Sequence, residues 1–204
     1  QIQLADGDNT GSQTAGAKIA LYEPQAEELG YASTPIKTGA AVSTRLKDEI
    51  TGAGSTNTIN SEEGVFVVNS AYLKTGLSPD NTISIADGTN NRIVFKYDNT
   101  NAAFAVRMQY FLGGILIASE GTEESKLDKN DFNVFAISWD ANNIKAYLNG
   151  FLLKTEALSS TFTPNTLTSI YLNEGGVNYF FGKLKELRVY KSIAEAKIDL
   201  PYIN

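Results

Sequence analysis

From residue 133 to residue 153 the chain is written for hairpins. Phe135, Ile137 and Trp139 alternate with Val134, Ala136 and Ser138, a period of two that sends one set to each face of a strand. After Asp140-Ala-Asn-Asn143 the same phase resumes in Ile144, Ala146 and Leu148. Asn149-Gly150 then separates Leu148 from Phe151-Leu152-Leu153, and this pair tolerates the two positive φ angles that a type I′ turn demands. The segment therefore folds back on itself twice as antiparallel strands, with Trp139 in phase with the core side.

The same grammar runs upstream and downstream. Strands are expected at 63–73, 82–85, 92–97, 103–111 and 115–118, parted by Asn, Asp and Gly clusters such as Asp87-Gly88-Thr-Asn90-Asn91 and Gly113-Gly114. From Tyr179 to Tyr190, Leu184, Leu187 and Val189 want one face although the first two are three apart, which calls for a β-bulge at Lys185-Glu186. Ser192 to Lys197 reads as a short helix with Ser192 as N-cap, and Pro201 stops its continuation. The expected fold class is all-β, an antiparallel two-sheet jelly-roll sandwich of about a dozen strands. Residues 1–39 differ in character and read as an entry arm or the end of a preceding β module, leaving 40–204 for the sandwich.

Composition removes whole classes of chemistry. The 204 residues contain neither Cys nor His, so there is no thiolate nucleophile, no disulfide, no Ser-His-Asp triad and no soft metal site. Any metal must be held by oxygen, which favours calcium. The formal charge is −6 and the basic residues are scattered, so no footprint for nucleic acid exists. No apolar run approaches the ~18 residues that would argue insertion into a membrane. The chain begins at Gln1, which fits a piece trimmed from something longer.

Three loops are rich in side-chain oxygen. Asp6, Asp8, Thr10 and Gly11 open like a calcium loop, but its twelfth position is Ala17. Asp87 with Asn90 and Asn91, and Asp140 with Asn142 and Asn143, are weak calcium or ligand candidates that serve equally well as turn formers. Asn173-Glu174-Gly175-Gly176-Val-Asn178-Tyr179 is the best candidate for a ligand rim, with a plain Gly-rich hairpin as the alternative. Sugar binding asks for an aromatic platform with amides and carboxylates beside it, because apolar C–H faces stack while hydroxyls hydrogen-bond. The candidate ligand-binding set is accordingly Asp87, Asn90, Asn91, Asn173, Glu174 and Tyr179, with calcium as the candidate cofactor at Asp87 or Asp140.

The order of strands and turns from 133 to 198 resembles the closing half of a concanavalin A-like, laminin G-like sandwich. Glu23-Pro-Gln25 through Gly39, Val42 and Thr44-Arg45 is similar to a junction in tailed-phage virion proteins of the form Gln-x-Glu-x-Gly-x-x-x-Thr-x-x-Ile-Pro-Thr-x-Gly-x-x-Val-Thr-Arg. Lys37 stands here for the family's proline, and one residue is shifted. Asn60 to Gly64 and Ile83 to Ile93 resemble further family motifs, Asn-x-x-Glu-Gly and Ile-x-Ile-Gly-Asp-Gly-x-x-Asn-Asn-Arg-Ile. The resemblance covers residues 23–198. It implies a module of a tail fibre, tail spike or head-decoration protein at the virion surface, outside the cell. Its partners would be host-surface or mucus glycans and neighbouring virion subunits, often as a homotrimer. The other binding reading is a carbohydrate-binding or adhesin module of a secreted bacterial protein. Bare scaffolding is the third. Sandwiches of this shape include glucanases, which set carboxylates at i, i+2 and i+4 of one strand. Glu62-Glu63 and Glu123-Glu124 are adjacent pairs pointing to opposite faces, so no enzyme is expected.

Overall fold

The computed structural model describes residues 49–203 apart from 51, 72–79, 89, 100 and 102. The expected arm at 1–39 and its calcium-like loop at Asp6 lie outside the described residues. All described residues belong to one compact unit, Lys47–Asn204.

Ten strands are present among them: β1 (Gly64–Ala71), β2 (Asn81–Ala86), β3 (Arg92–Tyr97), β4 (Val106–Leu112), β5 (Ile115–Thr122), β6 (Phe132–Trp139), β7 (Asn143–Leu148), β8 (Phe151–Ala157), β9 (Ser169–Tyr171) and β10 (Leu184–Tyr190). They form two five-stranded antiparallel sheets. The back sheet has the order β10-β1-β6-β7-β8 and the front sheet β5-β4-β3-β2-β9. A two-sheet, jelly-roll architecture follows, as the period-two pattern demands.

Between the sheets, Phe66 and Val68 of β1 and Phe135, Ile137 and Trp139 of β6 meet Ile83, Ile85, Ile93, Phe95 and Tyr97 of the front sheet, all buried. Phe95 packs on Phe135 across the gap with centroids 4.6 Å apart. Trp139 is fully buried and donates its indole N–H to the Ser61 carbonyl at 3.0 Å. Gly64 makes room for it, since a Cβ there would sit 2.6 Å from the indole ring.

β1 is buried on both faces because the outward side of the back sheet is also covered. Val65, Val67, Ala136, Tyr147 and Tyr190 form a second cluster with Ala196 and Ile203 of the chain's end. The lid is α1 (Ile193–Asp199), two residues longer at its C-terminus than the helix expected from sequence, with Ser192 accepting the Glu195 N–H as N-cap. Asn149 and Gly150 have φ of 47° and 88°, the two positive values required of the β7–β8 turn. The expected bulge in β10 is found, with Asn69 opposite Glu186 but Ser70 opposite Leu184, which leaves Lys185 as the extra residue.

One strand expectation is corrected. Residues 179–183 do not continue β10. Tyr179 bridges to Thr82 and the Phe180 N–H donates to the Leu172 carbonyl, so 179–181 still belong to the front sheet, and the crossing is complete by Lys183, whose carbonyl accepts the Ala71 N–H of β1. Apolar residues that serve two different sheets in succession give one unbroken pattern in sequence. Among the described residues no helix is long and apolar enough to cross a membrane.

Candidate functional site

The turn between β2 and β3 is closed by its own side chains. Asp87 accepts the Asn91 backbone N–H at 3.0 Å and the Asn91 amide at 2.6 Å, one on each carboxylate oxygen. Asn91 in turn accepts the Gly113 N–H at 2.8 Å, and the Asn90 carbonyl accepts the Gly114 N–H at 2.7 Å. The β2–β3 and β4–β5 turns are thus laced into one end of the front sheet, with the Asn90 side chain exposed.

Residues 173–179 form a tight hairpin. Glu174 and Val177 exchange backbone hydrogen bonds at 2.8 and 3.2 Å around Gly175 and Gly176, both at positive φ. Asn173 braces it by accepting the Gly176 N–H at 2.9 Å. The hairpin lies across the outward side of β2, where Ser84 donates to the Asn173 carbonyl at 2.7 Å and Thr82, Ser84 and Ala86 are fully buried. Tyr179 is half-buried at the end of this segment.

Arg92, the first residue of β3, joins the two loops. Its guanidinium donates to Glu174 from Nε at 3.3 Å and Nη2 at 3.1 Å, and its carbon lies 3.6 Å from the centroid of the Phe111 ring. Phe111 is the cross-strand partner of Arg92 on β4. Asn178 adds a bond to the other Glu174 oxygen at 3.4 Å. All six candidate ligand residues, Tyr179 included, therefore fall on the two elements that Arg92 connects. Arg92 itself was not singled out from sequence. Its signal was its place directly after the turn cluster, facing an aromatic one strand away. That partnership becomes visible only when the register is known.

The same outward face carries two further ion pairs, Lys96 with Asp80 at 3.0 Å and Arg107 with Asp98 at 2.7 Å. Glu174, Asp80 and Asp98 thus each sit against a cation, whereas a glycosidase pair sets two carboxylates about the scissile bond. Asp140 lies elsewhere, in the β6–β7 turn, where its Oδ1 accepts the Asn142 and Asn143 N–H groups at 2.7 and 2.8 Å. Both weak metal candidates spend carboxylate oxygen on turn closure. Among the described residues no three His, Cys, Asp or Glu side chains gather as a metal site.

Tyrosine hydroxyls are among the groups whose acidity the fold alters. Burial pushes Tyr97 well above the usual tyrosine value, against a smaller opposite effect of its Ser70 hydrogen bond. Burial also raises Tyr110, opposed by its bonds to Thr161 and Phe162. Tyr97 donates to the Ala71 carbonyl at 2.7 Å, so its proton is used structurally.

Residues 68–197 match the family model described as the concanavalin A-like lectin/glucanases superfamily. No curated protein sequence matches. Among solved structures, the IT-sialidase CBM40 of Ruminococcus gnavus bound to α2,3-sialyllactose has a TM-score of 0.51 at 18% identity, covering 72% of this chain and 91% of that one. The same module bound to α2,6-sialyllactose also scores 0.51, at 17% identity, covering 78% and 97%. A Bacillus licheniformis β-glucanase scores 0.44 at 20% identity, covering 65% of each chain.

Proposed function

The chain belongs to the concanavalin A-like lectin/glucanase superfamily, and on that premise we propose that it is a non-catalytic module that binds surface glycans. The observation that carries this reading is the Arg92–Glu174 pair, which fuses the two rim loops into one polar edge beside Phe111. A guanidinium and a carboxylate side by side offer donors and acceptors at the spacing of adjacent sugar hydroxyls, and the aromatic and aliphatic surface next to them suits the C–H face of a ring. Asn90 and Tyr179 extend the edge. Loops held at the end of rigid sheets are where binding commonly settles.

The motifs similar to tailed-phage virion proteins support display on a virion, as part of a fibre, spike or decoration protein that meets host or mucus glycans, with a homotrimer supplying avidity. The fold-level likeness to the Ruminococcus gnavus CBM40 supports the second reading, a carbohydrate-binding or adhesin module of a secreted bacterial protein. Mass spectrometry of purified particles against culture supernatant separates the two.

The test of binding is a glycan and mucin screen of the wild-type chain and Arg92→Lys, which keeps the charge but loses the forked contact. Affinity is expected in the millimolar to micromolar range, about −4 to −8 kcal/mol. Arg92→Lys should weaken it at least tenfold. The same screen with EDTA tests whether calcium takes part. No reducing sugar should appear from any polysaccharide that binds. Binding unchanged in Arg92→Lys would move the site off this edge, and turnover would overturn the non-catalytic reading.

A further inference from the structure

We propose that the groove between the end of α1 and the outward face of the back sheet is a second, separate glycan site, built for a neutral pyranose. This groove measures about 490 Å³ and lies on the opposite side of the sandwich from the Arg92 edge. Its volume falls within the range of small-molecule sites.

Three outward side chains of β10, Glu186, Arg188 and Tyr190, stand at i, i+2 and i+4 and so share one face. They are tied into a network that reaches the helix. Arg188 donates from Nε to Glu186 and from Nη1 to the Tyr190 hydroxyl at 3.0 Å. Tyr190 donates onward to Asp199, the last residue of α1, at 3.0 Å. Fixing these groups before a ligand arrives reduces the ordering that binding would otherwise cost. Each carboxylate retains lone pairs for hydroxyl donors.

Tyr202 lines the same groove together with Val67 and Val134. Its ring is braced by Tyr147, with centroids 6.1 Å apart, and by the Asn149-Gly150 turn. A Cβ on Gly150 would sit 3.5 Å from that ring. That is ordinary van der Waals distance, so the glycine is required by the turn's positive φ and not by the packing of the turn on the tyrosine. An aromatic ring and aliphatic floor facing a carboxylate–guanidinium wall match the two halves of a pyranose, its C–H face and its hydroxyl rim. Two carboxylates against one guanidinium leave the wall negative, which selects against sugar acids.

The test is a titration of the ¹⁵N-labelled chain with galactose, N-acetylglucosamine and N-acetylneuraminic acid at millimolar concentrations. A neutral sugar is expected to shift the amides of Gly150, Asp199 and Tyr202, and N-acetylneuraminic acid to leave them in place. Tyr202→Leu, which keeps apolar bulk, and Glu186→Gln should each weaken that response at least tenfold while the Arg92 edge is unaffected. Shifts confined to the Arg92 edge would overturn this second site and leave the proposed function standing. An acid sugar bound in the groove as well as a neutral one would overturn the assignment, as would undiminished binding by both variants. Shifts in the groove alone would support it even if the front edge proves silent.

Discussion

Replacing Trp139 by Ala tests the core argument at its largest single contribution. Trp139 is the only tryptophan and is 0% exposed. A large aromatic hides about 200 Å² of apolar surface, so at ~25 cal/mol per Å² the transfer contribution is about 5 kcal/mol, of which an alanine methyl keeps roughly 1. The mutant also orphans the buried Ser61 carbonyl, adding about 1 kcal/mol. The sum, about 5 kcal/mol, is at the upper end for large-to-small substitutions in cores. For a domain of this size it corresponds to a fall in Tm on the order of 10–20 °C. Trp139→Phe should cost about 2 kcal/mol, since it loses the indole bond and part of the ring. Far-UV circular dichroism during urea denaturation measures both, because neither mutant retains a fluorescent tryptophan. A Trp139→Ala chain that melts within two degrees of wild type would refute the reasoning. Trp139 would then have to be reconsidered as an exposed sugar platform.

Other expectations follow from the loops and the buried hydroxyls. Asn91→Ala removes the bonds that lace two turns and should cost about 1–2 kcal/mol, read as a lowered urea midpoint with unchanged m value. Glu174→Ala leaves the mostly buried Arg92 without its carboxylate and should cost about 3 kcal/mol, with part of that recovered in the double variant Arg92→Leu/Glu174→Ala. Burial raises the Tyr97 and Tyr110 hydroxyls in the folded chain, so the unfolded chain loses these protons first as pH climbs. Their stabilising contribution is complete below the ordinary tyrosine value of about 10 and declines above it. Stability measured from pH 8 to 11 should therefore fall at the alkaline end. Tyr97→Phe should flatten that fall, and an unchanged slope would show that Tyr97 is not responsible.

The fold was legible in this sequence because its turns are local and strands such as β6 alternate with a period of two. Asn149-Gly150 needs only its own two residues to announce a hairpin, and the Lys185 bulge shows itself as one break in a period of two. Ser192 likewise caps a helix within its own turn. The loops at 87–91 and 173–179 were legible as loops, but their chemistry was not. Asp87 and Asn91 bind each other, so one lone pair on each Asp87 oxygen is committed to the turn. The group that unites the loops is Arg92, whose partner Glu174 is 82 residues away. The back-sheet groove is harder still to read. Its wall comes from β10, its aromatic from beyond Pro201 and its brace from the β7–β8 turn, three segments that carry no common motif. Charge and turn patterns report what a residue does for its neighbours in sequence. A binding surface is assembled from residues whose neighbours are set by register and crossover, and in this chain both surfaces depend on a crossing between sheets that residues 179–183 conceal within an unbroken apolar pattern.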